Sequence, residues 1–64
     1  MNRKDLVKHL MDEGCQVLRE GAKHTILIHS ETARYSTLPR HVNINEFLAR
    51  RICRDLGIRP PGIR

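Results

Sequence analysis

The sequence has few aromatic residues, few cysteines and no long apolar run, and each shortage excludes a class of protein. The aromatic side chains are one tyrosine and one phenylalanine, with no tryptophan. An aromatic platform on which bases stack, as in single-strand binders, is therefore not expected. The longest aliphatic run is Ile26-Leu27-Ile28, which is far shorter than the ~20 residues of a membrane-spanning helix.

The two cysteines, Cys15 and Cys53, lie far apart in the sequence. They form neither a disulfide framework nor the close pairs of a zinc knuckle. We expect both to be buried as small apolar side chains, because free cysteine is among the most buried residue types. The first residues contain no apolar signal segment, which predicts a cytoplasmic location.

The length of 64 residues predicts a single domain, because two domains would each lack the apolar surface for a core. We place this domain at residues 1–64, with its core at about 3–58 and a loosely held tail at 59–64. A domain of this size buries only about 60% of its unfolded surface. Chemistry should therefore take place on an exposed face or in a shallow groove.

The net charge is +5 and the isoelectric point is about 10.0. Residues 1–13 are balanced, whereas residues 43–64 carry five arginines against two acidic residues. Such an excess attracts a polyanion such as RNA, because neutralising phosphates releases counterions. Ordinary solubilising charge or an acidic protein partner would explain the same excess.

Residue patterns predict the order helix, three strands, helix. The first helix is expected from Arg3 to Glu13, with Asn2 as its cap and Gly14 after its end. The strands are expected at Cys15–Glu20, Lys23–His29 and Arg34–Leu38, with Pro39 ending the third strand.

The second helix is expected to begin at Asn43, with Glu46 completing a capping box, and to end at Gly57. Its predicted apolar stripe is Ile44, Phe47, Leu48, Ile52 and Leu56. The fold class is thus α+β, a three-stranded antiparallel sheet with two helices on one face. The other face of the sheet would be open.

The segment Gly21-Ala22-Lys23-His24 carries the strongest local signal for chemistry. The glycine permits a tight turn, which delivers a cation and an imidazole to the start of a strand. Histidine can take a proton from one oxygen and return it to another, as RNA cleavage by a 2′-hydroxyl requires. The same residues also fit an ordinary hairpin with a surface histidine.

Strand alternation raises a conflict at this site. His24, Ile26 and Ile28 should share one face, which sets an exposed histidine beside isoleucines expected in the core unless a bulge or a strand edge intervenes. His29 should lie on the opposite face from His24, so the two cannot share a metal ion. We predict no metal site and no cofactor.

Arg50, Arg51 and Arg54 form the densest cationic cluster. Glu46 with Arg50, and Arg51 with Asp55, have the spacing of helical ion pairs, which is typical of a solvated helix face. Contact with RNA phosphates and docking of a partner are the alternatives.

Four segments together resemble the HicA family of small toxins, which are messenger-RNA interferases with a double-stranded-RNA-binding-like α-β-β-β-α fold. These segments are Leu6-Val7 through Gly14-Cys15, Leu18 through His24, Leu38-Pro39-Arg40-His41, and Ala49 through Ile58. The resemblance implies that His24 is the catalytic histidine. It also implies a HicB-type antitoxin that covers the active face. Ala22 departs from the family, in which many members have serine or threonine after the glycine.

The resemblance and the residues together predict a metal-independent endoribonuclease toxin. His24 would act as general base or acid, Gly21 and Lys23 would lie against the RNA, and Arg50, Arg51 and Arg54 are further RNA-binding candidates. The expected partners are mRNA and the antitoxin, with no membrane and no DNA bound by this protein alone. The alternatives are a non-catalytic RNA-binding module and a decayed toxin kept for partner binding.

Overall fold

The computed structural model describes residues 1–61, and within them the chain forms the predicted helix, three strands and helix. The elements are α1 (Arg3–Asp12), β1 (Cys15–Glu20), β2 (His24–His29), β3 (Tyr35–Pro39) and α2 (Glu46–Leu56). The strands lie in the order β1-β2-β3 and pair antiparallel. Both helices contribute to one core on one face of the sheet, so the predicted α+β fold is confirmed.

The helices pack against the buried face of the sheet. In β2 the side chains of Thr25, Leu27 and His29 are buried, while His24 is exposed and Ile26 and Ile28 are half-buried. The core joins this face to the inner sides of the helices, and its apolar members are Leu6, Leu10, Cys15, Leu27, Leu38, Ile44, Ala49, Ile52, Cys53 and Leu56. Both cysteines are therefore buried, as predicted.

The conflict between an exposed His24 and its isoleucine neighbours disappears because the isoleucines lie on the open face. Opposite them across the ladder are Tyr35 and Thr37 on β3. A bulge does occur, but in β1, where the register shifts between Val17 and Arg19. The open face thus combines apolar side chains with His24 at one end.

The start of α2 was predicted wrongly. Asn45 is the cap, and its side chain accepts a hydrogen bond from the amide of Phe47 at 2.7 Å. Asn43 instead pairs with Asn2 in an isolated antiparallel bridge. The caps at Asn2 and Gly57 are confirmed: the Asn2 side chain accepts from the Lys4 amide at 2.7 Å, and Gly57 has a left-handed φ of 77°.

The assignment of Phe47 to the core is also wrong, since 79% of this residue is exposed. The buried face of α2 consists of Ala49, Ile52, Cys53 and Leu56, and at 100° per residue position 47 lies on the opposite side.

Two smaller predictions also need correction. Pro39 lies within β3, paired with His24; β3 is an edge strand, where a missing backbone donor is tolerated. Asp55 accepts from the Ser36 hydroxyl at 3.1 Å, and no Arg51–Asp55 ion pair forms within residues 1–61. The Glu46–Arg50 pair does form, at 3.8 Å.

The predicted loose tail is only partly described, since residues 62–64 lie outside the described residues. Its first residue contacts α1: the ring of His9 donates through Nε2 to the Arg59 carbonyl at 2.9 Å, and Arg59 Nε donates to a Glu13 carboxylate oxygen at 3.3 Å.

Candidate active site

The loop between β1 and β2 places His24 at the edge of the sheet. The amide of Gly21 donates to the carbonyl of His24 at 2.7 Å and closes the loop. A Cβ at position 21 would lie only 3.1 Å from that carbonyl oxygen, so the closure leaves little room for a side chain. Ala22 and Lys23 are exposed at the tip. Gly21, Lys23 and His24 are therefore together, as the sequence predicted.

A shallow groove of about 390 Å³ opens beside His24. We call it the histidine groove; its lining residues are Ala22, Lys23, His24, Pro39, Arg40 and His41. One wall is the β1–β2 loop and the other is the segment that leaves β3. The two walls meet because His24 pairs with Pro39 in the sheet. The groove thus holds two imidazoles and two cations on an exposed surface.

Arg40 fastens one wall of the groove to the other. Its Nη2 donates to the Glu20 carboxylate at 2.7 Å and to the Gly21 carbonyl at 2.8 Å. The same Glu20 oxygen accepts from the hydroxyl of Thr25 at 2.7 Å, and Thr25 is 2% exposed. These hydrogen bonds therefore connect the surface of the groove to a residue of the core.

The N-terminal residues hold the second wall from behind. Arg3 donates through Nε to the Pro39 carbonyl at 3.1 Å and through Nη2 to the Thr25 hydroxyl at 2.8 Å. Its amide also donates to the Val42 carbonyl at 2.7 Å. The residues on both sides of His41 are therefore held by hydrogen bonds, although His41 itself is exposed.

A second shallow groove, of about 350 Å³, shares Arg40 with the histidine groove. Its other lining residues are Asn2, Arg3, Lys4 and Val42. Together the two grooves present Arg3, Lys4, Lys23 and Arg40 along one edge of the molecule. This concentration was not visible in the charge count, because residues 1–13 are balanced overall.

The arginines of α2 lie elsewhere. Arg50, Arg51 and Arg54 are exposed on that helix, and none of them lines the histidine groove. Arg50 instead lines a separate groove with Met1, Glu46, Ala49 and Pro61. With the exposed Phe47 they form one outward stripe of α2. The structure therefore does not bring the predicted cationic cluster to the candidate catalytic histidine.

The cysteines are poorly suited to nucleophilic chemistry. Burial is the main cause that raises the pKa of Cys53 to about 11, with Cys15 and Glu13 adding to the effect. Burial, followed by the charge of Glu13, also raises the pKa of Cys15. Since the thiolate is the reactive form, the raised pKa values keep both thiols in the less reactive protonated form at neutral pH.

Within residues 1–61, no three His, Cys, Asp or Glu side chains gather in a way that could hold a metal ion. Over the same residues, neither helix has the length and apolar character that crossing a bilayer requires.

Sequence reasoning missed Arg3, Glu20, Thr25 and Arg40 as residues that hold the site, and it missed His41 as part of it. The only signal in the sequence was the Pro39-Arg40-His41 turn, which is one of the segments that carry the family resemblance.

An imidazole pair next to two cations can transfer protons close to an anionic group.

Comparison with family models gave a match that covers most of the chain. Residues 3–58 match the model described as "HicA toxin of bacterial toxin-antitoxin". The match includes every residue of the histidine groove. Comparison with curated proteins and with solved structures gave no match.

Proposed function

Because the chain belongs to the HicA toxin family, we propose that it is an mRNA interferase, an endoribonuclease toxin that cuts messenger RNA in the cytoplasm without a metal ion. The observation that carries this proposal is the exposed His24 in a groove that Lys23 and Arg40 also line. The groove is open enough to admit a polymer. Its cations suit a phosphate, and its histidine suits proton transfer.

The proposed reaction uses the RNA's own 2′-hydroxyl as nucleophile. His24 acts as general base on this hydroxyl or as general acid on the leaving 5′-oxygen. Lys23 and Arg40 lie where they can stabilise the negative charge that builds on the phosphoryl oxygens. Gly21 contributes by allowing the loop to close, which brings Lys23 and His24 to the same edge.

The RNA would continue from the histidine groove into the neighbouring groove across Arg40. There Arg3 and Lys4 would contact the next phosphates, because the two grooves share Arg40 as a lining residue. Arg3 already bonds the Pro39 carbonyl and the Thr25 hydroxyl, so Lys4 is the freer of the two for a phosphate.

A HicB-type antitoxin would inhibit the toxin by covering the histidine groove and the open sheet face. That face exposes Tyr35 to 67% and leaves Ile26 and Ile28 half-buried, so a partner would gain by removing them from water. Arg50, Arg51 and Arg54 would supply a second contact, to RNA or to the antitoxin, from the outward stripe of α2.

The test compares the wild type with His24→Ala in a host that has no antitoxin, scoring growth and messenger-RNA integrity together. His9→Ala is the matched control, because His9 lies on α1 outside the groove. The proposal expects arrest and RNA degradation from the wild type and the control, and neither from His24→Ala. Purified protein should cleave RNA equally with and without a chelator such as EDTA.

A second candidate, a non-catalytic protein kept for partner or RNA binding, is favoured by Ala22 alone. An alanine after Gly21 leaves the loop without a hydroxyl that could bond the phosphate or the histidine. The same experiment separates the candidates: salt-dependent RNA binding without cleavage, unchanged by His24→Ala, would favour the binding protein.

A further inference from the structure

We propose that His41 is the second proton carrier of the cleavage reaction and works across the histidine groove from His24. This inference rests on the proposed RNA cleavage and extends it to a residue on a different segment. His24 and His41 line the same groove, one on the β1–β2 loop side and the other on the segment that follows β3. A bound phosphodiester would therefore have an imidazole on each side.

The backbone on both sides of His41 is fixed. The Pro39 carbonyl accepts from Arg3 Nε at 3.1 Å, and Arg40 bonds Glu20 and Gly21. On the other side, the Val42 carbonyl accepts from the Arg3 amide at 2.7 Å. An exposed side chain on a fixed backbone suits a group that must meet a substrate with little loss of conformational entropy.

The other two histidines have structural partners and lie away from the groove. His9 donates through Nε2 to the Arg59 carbonyl at 2.9 Å. His29 is buried on the opposite face of the sheet from His24, and its Nδ1 accepts from the Glu31 amide at 3.2 Å. Among the histidines of residues 1–61, His24 and His41 are the two that line the groove.

The chemistry needs two proton transfers. One imidazole removes the 2′-hydroxyl proton as the 2′-oxygen bonds to phosphorus, and the other, as imidazolium, protonates the 5′-oxygen as its bond to phosphorus breaks. The products are a 2′,3′-cyclic phosphate and a 5′-hydroxyl, so no water, metal or further reactant enters the balance. Each positioned acid or base contributes typically about 10²–10⁴-fold.

The charged groups around the pair are Lys23 and Arg40 in the groove, with Arg3 behind Pro39 and Glu20 bound to Arg40. A mechanism that needs one neutral imidazole and one imidazolium gives a rate that rises and then falls with pH. Removing either histidine should remove one limb of that profile.

The first experiment measures single-turnover cleavage of an RNA oligonucleotide by the wild type, His41→Ala, His24→Ala and His9→Ala. We expect His41→Ala to lose about 10²-fold or more in rate and one limb of the pH profile. Its thermal unfolding should match that of the wild type, because position 41 is exposed. His9→Ala should cleave like the wild type.

The second experiment replaces the bridging 5′-oxygen at the cleavage site by sulfur. A thiolate leaves without a proton, so the variant that lacks the general acid should regain its rate, and the variant that lacks the base should not. Rescue of one of the two variants alone supports the pair and identifies the acid. Rescue of neither variant would overturn the proposal.

The inference and the proposed function fail in different ways. If the wild type cleaves, His24→Ala is inactive and His41→Ala stays within threefold of the wild type, His41 carries no proton and only the inference is wrong. If the wild type itself does not cleave, or His24→Ala cleaves normally, the proposed function is wrong.

Discussion

Replacing Arg40 by methionine should separate the geometry of the site from the stability of the fold. The change removes two hydrogen bonds, to the Glu20 carboxylate at 2.7 Å and to the Gly21 carbonyl at 2.8 Å. These bonds hold the two walls of the histidine groove together. Methionine replaces the aliphatic part of the side chain and keeps most of its apolar contact, so packing changes little.

The expected cost in stability is small because the pair is exposed. The side chains of Arg40 and Glu20 are 45% and 54% exposed, and such pairs contribute about 0.2–1 kcal/mol. We therefore expect the free energy of unfolding to fall by about 1 kcal/mol, or about 4–8 °C in Tm for a domain of this size. Glu20 keeps its bond from the Thr25 hydroxyl.

The expected cost in cleavage is larger, because a misplacement of ~1 Å can slow a reaction about 10²-fold. We predict a single-turnover rate about 10–100-fold lower for Arg40→Met. Arg34→Met is the matched control. Arg34 also makes two hydrogen bonds, from Nε to the Asp55 carbonyl at 2.9 Å and from Nη2 to the Arg54 carbonyl at 3.3 Å. It should lose similar stability and keep its cleavage rate.

Arg40 lines the groove, so its charge could also bind phosphate, and Glu20→Gln distinguishes the two roles. This variant removes a negative charge beside the groove, which by charge alone should strengthen RNA binding. If Glu20 positions Arg40, the cleavage rate at saturating RNA should fall although KM is unchanged or lower. If Arg34→Met and Arg40→Met lose cleavage rate equally, or if Glu20→Gln cleaves at an unchanged rate, the positioning argument is refuted.

The remaining predictions concern RNA affinity and pH. Lys4→Ala should reduce the slope of log affinity against log salt by about 0.7, the value for one phosphate of a single strand, whereas Lys8→Ala, which removes a lysine paired with Asp12 at 3.5 Å, should not. Burial raises the pKa of Cys53 from 9.0 to about 11, so its stabilising contribution is complete below pH 9 and is lost as the pH rises toward 11. Urea unfolding of the wild type should show that the free energy of unfolding falls by an amount on the order of 2 kcal/mol over that range. The fall should be smaller in Cys53→Ala. Equal falls in both proteins would contradict the raised pKa of Cys53.

Local patterns were sufficient for most of the fold. Apolar spacing and the caps at Asn2 and Gly57 located the helices, and alternation located the strands to within one residue at each end. The start of α2 was misplaced because Asn43 and Asn45 both satisfy the local rule for a cap. A long-range contact decides between them: Asn43 pairs with Asn2, which leaves Asn45 to begin the helix.

The misplaced start of α2 also explains why Phe47 was wrongly predicted to be buried. Apolar residues at positions 44, 47 and 48 fit a helical stripe when the helix is assumed to begin at Asn43. Once the helix begins at Glu46, its buried side is set by Ala49, Ile52, Cys53 and Leu56. Ile44 is buried as well, but it lies before the helix, and its amide donates to the Met1 carbonyl at 2.6 Å. No local pattern contains that contact.

The sequence could predict the part of the candidate site whose residues are neighbours in the chain, but not the part that strand pairing brings to it. Gly21 and His24 belong to a single tight turn, so their proximity follows from local sequence. Arg40 and His41 reach the same place only through the pairing of His24 with Pro39. Had the register of β2 and β3 been derived from the sequence, the Pro39-Arg40-His41 turn would have been placed opposite the glycine loop.

The way the groove is held follows from the size of the domain. A chain this short cannot surround a deep cavity, so its site must be exposed, and exposed loops are ordinarily mobile. Here the loops are restrained by hydrogen bonds that reach back to the buried hydroxyl of Thr25 through Glu20 and Arg3. Removing that hydroxyl in Thr25→Val would leave the Arg3 guanidinium short of a partner, at a cost of about 1–3 kcal/mol. The position of the site thus depends on a core residue that is itself 2% exposed.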